Sequence, residues 1–335
     1  MAVNSMSISP SCLKLTETIL GISHISTYEF LAQDSRHLLW KIQHRGKSFL
    51  IKTFRQEQDP YFDHRFRREE RLLNFLQQQC PELSPNIYGG ALIEQQEALV
   101  VMEYINGTAL HAALESSGPT ECNDYIKEAV ESQVRLHHTF DNYSGLMRNI
   151  ANSCILDRNN LTTLTARFRL ACKRISGNTV TNETSSQFKE HVFKPLLLQP
   201  HHPIHNSLSP LNMVLKDDSS AIVIDFETLS VGPRVLDLAE LAAFPSSTNY
   251  STNDIHQIYS EQCDEIVVSN LQSLQLAIIT RALDGAGSIK HQVDRDSNVT
   301  SHYDERIEGY LSNALTASVS AKLPKPIIDY LESLL

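Results

Sequence analysis

The chain has 335 residues, about two ordinary domain lengths, with 41% hydrophobic and 20% charged residues and only 12 Gly and 13 Pro. That composition excludes collagen-like, low-complexity and disulfide-knotted architectures. The formal charge of −10 argues against nucleic acid as a partner, because phosphate backbones select basic faces. In chain order, Met1 to Leu20 lacks a basic start followed by an apolar core and does not read as a signal peptide. Short β-prone runs follow at Tyr28–Gln33, Leu38–Gln43 and Ser48–Phe54. The last two are joined by His44-Arg45-Gly46-Lys47, a four-residue turn carrying the Gly such loops need.

Asp63 to Gln79 has helical spacing, with Phe66, Leu72, Leu73 and Leu76 on one face and charges predicted on the other. Two more strands are predicted at Asn86–Leu92 and Ala98–Tyr104, closed by the turn signal Asn106-Gly107. Beyond it the spacing predicts helices at Glu121–Phe140, Leu161–Ile175, Ser186–Leu198, Glu261–Leu283 and Tyr303–Ala321. Ser176–Ser186 and Gly287–Ser301 read as exposed loops. One β element lies among the helices: strands Met213–Lys216 and Ala221–Phe226 around a polar turn. The expected organisation is α+β and two-lobed, with a β-rich lobe over 1–103, a connector over 104–107 and a helical lobe over 108–335. The most apolar stretch, Leu271 to Leu283, is interrupted by Ser273, Gln275 and Arg281 and is too short to span a bilayer. The cysteines (Cys12, Cys80, Cys122, Cys154, Cys172, Cys263) are scattered, which predicts a reducing, cytoplasmic setting and no zinc site.

Chemistry concentrates in Pro203 to Leu215 and in Val223-Ile224-Asp225-Phe226-Glu227. Asn212 and Asp225 flank the predicted hairpin and offer hard oxygens, the donors Mg²⁺ takes alongside phosphates and water. The same residue types are also ordinary turn formers.

His205-Asn206-Ser207, then Asn212, then Ile224-Asp225-Phe226-Glu227 and Val235-Leu236-Asp237-Leu238-Ala239 resemble the catalytic segment of the aminoglycoside phosphotransferase and choline kinase family. The pattern there is H-G-D-x-x-x-x-N, a strand ending I-D-F, and a D-L-A helix start. The resemblance runs from Tyr28 to Phe244 and implies a protein-kinase-like fold, ATP and Mg²⁺ as cofactors, and phosphoryl transfer to a small molecule. It implies that Lys52 grips the α- and β-phosphates, that Glu69 pairs with Lys52, and that Asn212 and Asp225 hold the metal. It also implies that the backbone of Glu103 and Ile105 meets the adenine, and that Ser35 lies in the phosphate-covering loop Ala32–His37, which here has no glycine. Asp237 is expected to cap or brace the helix that begins there.

The pattern is broken at one essential point. The catalytic Asp position is held by Ser207, and the Gly before it is Asn206. Loss of a positioned base typically costs about 10²–10⁴ in rate, whereas phosphoryl transfer depends mostly on positioning and charge. Three readings stay open. The acceptor oxygen is already anionic and needs no base; another group, with His205 nearest and His201 and His202 before it, replaces the Asp; or the protein is a pseudokinase that binds Mg-ATP or a protein partner without transfer. Residues 104–335 carry a net charge of −9, which favours a cationic small-molecule acceptor such as an aminoglycoside or amino alcohol.

Overall fold

The computed structural model describes residues 8–33, 37–93, 96–152, 159–245, 251–263, 270–295 and 302–335. The chain divides into two compact units, Met1–Gly107 with Ile222–Thr228, and Thr108–Ala221 with Leu229–Leu335. Ile222–Thr228, which the sequence reading leaves in the helical lobe, packs within the first unit, where its short 3₁₀ turn Phe226–Thr228 meets the Phe62–Gln79 helix.

The first unit opens with helix α1 (Pro10–Leu20), which the sequence reading did not anticipate although its ends are well signalled. Ser9 caps it by accepting the Cys12 N–H, Pro10 occupies the first turn, and Gly21 closes it at φ 64°. Strands β1 (Tyr28–Gln33), β2 (His37–His44), β3 (Lys47–Arg55), β4 (Ile87–Ile93) and β5 (Glu97–Glu103) form an antiparallel sheet in the order β1-β2-β3-β5-β4. Helix α2 (Phe62–Gln79) packs on β3, β4 and β5.

Alternation along β3 sorts its side chains. Phe49 and Ile51 join Trp40, Ile42, Leu99 and Val101 in the core that α1 covers. Lys52, one residue on, projects to the opposite face toward α2. The inward face of α2 is less apolar than its spacing suggests, because Arg65, Arg68 and Glu69 are buried alongside Phe66, Leu72, Leu73 and Leu76.

The second unit contains β6 (Thr108–Ala109), α3 (Leu110–Ser116), α4 (Pro119–Asn142), α5 (Ser144–Ala151), α6 (Leu161–Ser176) and α7 (Asn182–Phe188). A π-helical turn at Lys189–Phe193 leads into α8 (Lys194–Leu197). Strands β7 (His201–Ile204), β8 (Met213–Leu215) and β10 (Ser230–Pro233) follow, while β9 (Ala221–Val223) runs from Ala221 of this unit into Ile222 and Val223 of the first. The chain then runs through α9 (Val235–Ala243), α10 (Thr252–Gln262), α11 (Leu271–Arg295), α12 (His302–Ser320) and α13 (Lys325–Glu332). β7 pairs antiparallel with β10, and β6 with β8.

Besides the loop predicted at Ser176–Ser186, whose second half is taken up by α7 from Asn182, two further expectations change here. The single helix predicted at Glu261–Leu283 is interrupted: α10 ends at Gln262 and α11 starts at Leu271. The loop predicted at Gly287–Ser301 is helical through Arg295, while 296–301 lie outside the described residues. The glycines explain the second error, because they permit close helix contact instead of breaking the helix. A Cβ on Gly287 would lie 2.6 Å from Ala171 Cα of α6, and one on Gly285 would lie 2.7 Å from the Tyr310 ring of α12.

Candidate active site

In the first unit the central strand β3 brings Lys52 under α2. Its Nζ donates to Glu69 Oε2 at 2.7 Å and to Asp225 Oδ1 at 2.5 Å, and lies 3.5 Å from Glu227 Oε2. Burial alone would discharge the ammonium, but Asp225, Glu69 and Glu227 outweigh it and hold the Lys52 pKa well above the usual lysine range. Burial pushes Glu69 up to about 7, against the pull of Lys52. The Glu69, Asp225 and Glu227 oxygens lie within 4.8 Å of one another, close enough for a cation. Lys52 is the cation among them.

Asp225 is the exposed member of this cluster, with 27% of its side chain accessible. Its φ is 64°, a left-handed conformation that Asp tolerates better than most residues. Glu227 is wholly buried. Its Oε2 sits 2.5 Å from His37 Nε2, its Oε1 is 3.8 Å from Arg65 Nη1, and its backbone oxygen accepts from Arg68 Nη1 at 2.7 Å. Arg65 is braced in turn by Asp59 at 2.6 Å. The sequence offered one signal for this network: charges recurring on the helical face that also holds Phe66 and Leu72.

At the exit of β5, the Glu103 N–H donates to the Asn86 oxygen and the Glu103 carboxylate accepts from Asn86 Nδ2, both at 2.7 Å. The Glu103 side chain and its N–H are thus both engaged by Asn86 within the unit. Ser35 lies outside the described residues.

In the second unit, β7 delivers His205, Asn206 and Ser207, and the short 3₁₀ turn Pro210–Asn212 leads into β8. Asn206, at the position where the family pattern has Gly, has φ 70°, a left-handed conformation that Asn tolerates better than most residues. Asp237, in the first turn of α9, braces this loop instead of its own helix. Its Oδ2 accepts the His205 N–H at 2.8 Å and its Oδ1 accepts the Asn206 N–H at 2.7 Å.

His137 of α4 meets Asp237 Oδ2 through Nε2 at 3.0 Å and the Tyr259 hydroxyl through Nδ1 at 2.8 Å. A carboxylate only accepts, so Nε2 carries the proton and Nδ1 accepts from Tyr259. Burial lowers the His137 pKa against the pull of Asp237. Burial would raise Asp237, but the bond from His137 holds its pKa below the ordinary aspartate value.

The His205 side chain is fully buried. His201 bonds the Leu197 carbonyl and His202 bonds Asp141, which also pairs with Arg234. The Ser207 hydroxyl accepts from Asn212 Nδ2 at 3.2 Å, and the same nitrogen donates to the Ser207 carbonyl at 2.7 Å. Asn212 thereby anchors its amide nitrogen on the loop and keeps its oxygen as the atom suited to a hard cation. The first unit thus carries a buried ammonium with an acid partner and an accessible carboxylate, and the second carries a loop with an amide oxygen and a serine. Such groups suit a polyphosphate and its metal.

The phosphotransferase enzyme family model matches residues 27–263, and the chain belongs to that family. Its kinase-like α+β fold is shared with solved structures of low sequence identity. A GDP complex of an aminoglycoside 2'-phosphotransferase aligns at TM-score 0.64 and 13% identity, over 92% of this chain and 98% of that one. A gentamicin complex of the aminoglycoside phosphotransferase APH(2")-IIa gives 0.61 and 14%, over 92% and 97%. The choline kinase LicA from Streptococcus pneumoniae gives 0.58 and 13%, over 93% and 100%. No curated protein matches the chain in sequence.

Proposed function

We propose that the chain is an ATP-dependent phosphotransferase acting on a small molecule, with Mg²⁺ as its metal. The observation that carries the reading is Lys52, held charged by Glu69 and Asp225 at 2.7 and 2.5 Å. An ammonium so placed grips phosphate oxygens, and Glu69 keeps it aimed while the nucleotide is bound. Asp225 and the Asn212 oxygen are the proposed metal ligands, and their donor chemistry fits Mg²⁺. When bound, that ion neutralises the charge developing on the transferred group. The Glu103 and Ile105 backbone is the proposed adenine contact, and Ser35 a proposed phosphate donor.

Ser207 then selects the acceptor. Among the described residues its hydroxyl is partnered by an amide N–H, which cannot take a proton. Transfer therefore suits an attacking oxygen that is already ionised, a carboxylate or a phosphate, in preference to an alcohol. Aminoglycoside and amino-alcohol acceptors, which the charge of residues 104–335 would attract, are the competing class. A second reading rests on the same serine: Mg-ATP is bound and not turned over, as in a pseudokinase that signals through a protein partner. The five described cysteines are free, which supports a reducing cytoplasm as the setting. Among the described residues no helix is long and apolar enough to cross a membrane.

The test joins two measurements. Calorimetric titration with ATP, with and without Mg²⁺, reads binding; ADP release against carboxylates, phosphates, amino alcohols and aminoglycosides reads turnover. Binding with ADP release on an anionic acceptor supports the base-free enzyme. Binding without release, together with activity gained in Ser207→Asp, selects the pseudokinase. No binding sinks both.

A further inference from the structure

A buried arginine distant in sequence holds the loop that carries Ser207. Asn206 is 6% exposed, and its Oδ1 accepts from Arg281 Nη2 at 2.8 Å and from Asn159 Nδ2 at 3.0 Å. Glycine would adopt the φ of 70° at less cost, so the asparagine needs a compensating role, and these two bonds supply one. Arg281 is 2% exposed in the middle of α11, a costly place for a guanidinium unless every bond counts. Its Nε lies 3.2 Å from both the Leu236 carbonyl and Glu240 Oε1 on α9. Leu236 precedes Asp237, whose carboxylate takes the His205 and Asn206 N–H groups. One side chain therefore grips the loop through the Asn206 amide and, at the same time, the helical turn that holds the loop's backbone.

We propose that Arg281 is a positioning residue for the Ser207 loop, acting through Asn206, so that the two behave as one unit. The structural part stands on the contacts alone; the kinetic part rests on the phosphotransferase reading. Surface residues cannot substitute for this contact, because both partners are buried and both bonds point at the same oxygen.

The test is a cycle of Asn206→Gly, Arg281→Lys and the double variant, read by amide hydrogen exchange at positions 205 and 206. Each single change is expected to speed exchange about tenfold, the effect of one lost hydrogen bond. The double variant is expected to exchange no faster than the quicker single. Asn206→Asp keeps an oxygen for Arg281 and Asn159 and is expected to retain protection, which a merely stiffer backbone at 206 would not require of Gly alone. Unchanged exchange in both singles, or effects that multiply in the double, overturns the proposal. If Arg281→Lys does not fold, the contrast of Asn206→Gly with Asn206→Asp decides. Where ADP release is measurable, Asn206→Gly is expected to lower kcat about tenfold with ATP affinity within twofold. A parent with no turnover defeats the enzyme reading and leaves the exchange result to judge the clamp.

Discussion

Replacing Lys52 with methionine isolates the electrostatics of the first unit. The side chain is nearly isosteric, so the change leaves three carboxylates facing one another without their ammonium. Their oxygens lie within 4.8 Å. Two unit charges at that spacing repel by about 4 kcal/mol at an effective dielectric near 20. Some of this is relieved by proton uptake and by water reaching Asp225, which is 27% exposed. Breaking a buried ion pair from one side costs about 3–5 kcal/mol in general, and that is the loss expected for Lys52→Met at pH 8. Trp40, the chain's single tryptophan, is fully buried in the core of the same unit, so its fluorescence during urea unfolding reports the unit directly. Lys52→Met/Glu69→Gln removes one of the three charges and should recover roughly half of the loss. A single variant within about 1 kcal/mol of the parent, or a double variant no more stable than the single, would show that Lys52 does not hold the cluster together.

Glu227→Gln keeps the shape of a fully buried acid but removes the charge that faces His37, Arg65 and Lys52; a loss of about 2–4 kcal/mol by the same fluorescence assay is expected, and a neutral result would refute the buried network. His137 is held neutral below its ordinary pKa, so the unfolded chain takes up a proton that the folded chain refuses. Stability contributed by His137 is therefore present above about pH 6.5 and lost on acidification, with a slope approaching about 1.4 kcal/mol per pH unit. His137→Gln should flatten that limb of a thermal-denaturation pH series, and an unchanged slope would show that another group is responsible. Gly287→Val drives a side chain into the Ala171 backbone of α6, and a Tm drop reflecting about 1–3 kcal/mol or more is expected; an unaltered Tm would mean the two helices separate at no cost.

The sheet was legible because its signals are local. Alternation gave the strands, and Gly46 after Arg45 marks a turn that has positive φ at both residues. The spacing of Phe66, Leu72, Leu73 and Leu76 likewise gave α2. What failed was local composition pointing against a long-range contact. Gly285 and Gly287 read as loop residues, yet their missing side chains make room for Tyr310 and Ala171. Arg65, Arg68 and Glu69 read as a solvated face, yet their partners are the Glu227 carboxylate and backbone, Asp59 and Lys52, and Arg68 lies 159 residues from Glu227 in the chain. No local window of sequence holds both Glu227 and its arginine partners. Lys52, Glu69 and Asp225 were found only because motif order carries what periodicity cannot.

The catalytic segment teaches the same lesson from its two departures. In sequence, Asn206 and Ser207 look like joint decay of one motif. In three dimensions they differ. Asn206 adopts a left-handed backbone and supplies an oxygen that Arg281 and Asn159 both use, two bonds that a glycine could not make. Ser207 merely accepts from the neighbouring amide. Arg281 is buried against Asn206, whereas Ser207 is only partly buried. Asp237 holds the backbone amides of His205 and Asn206, and Arg281 and Asn159 hold the Asn206 side chain, so the loop is fixed at both its backbone and its side chain.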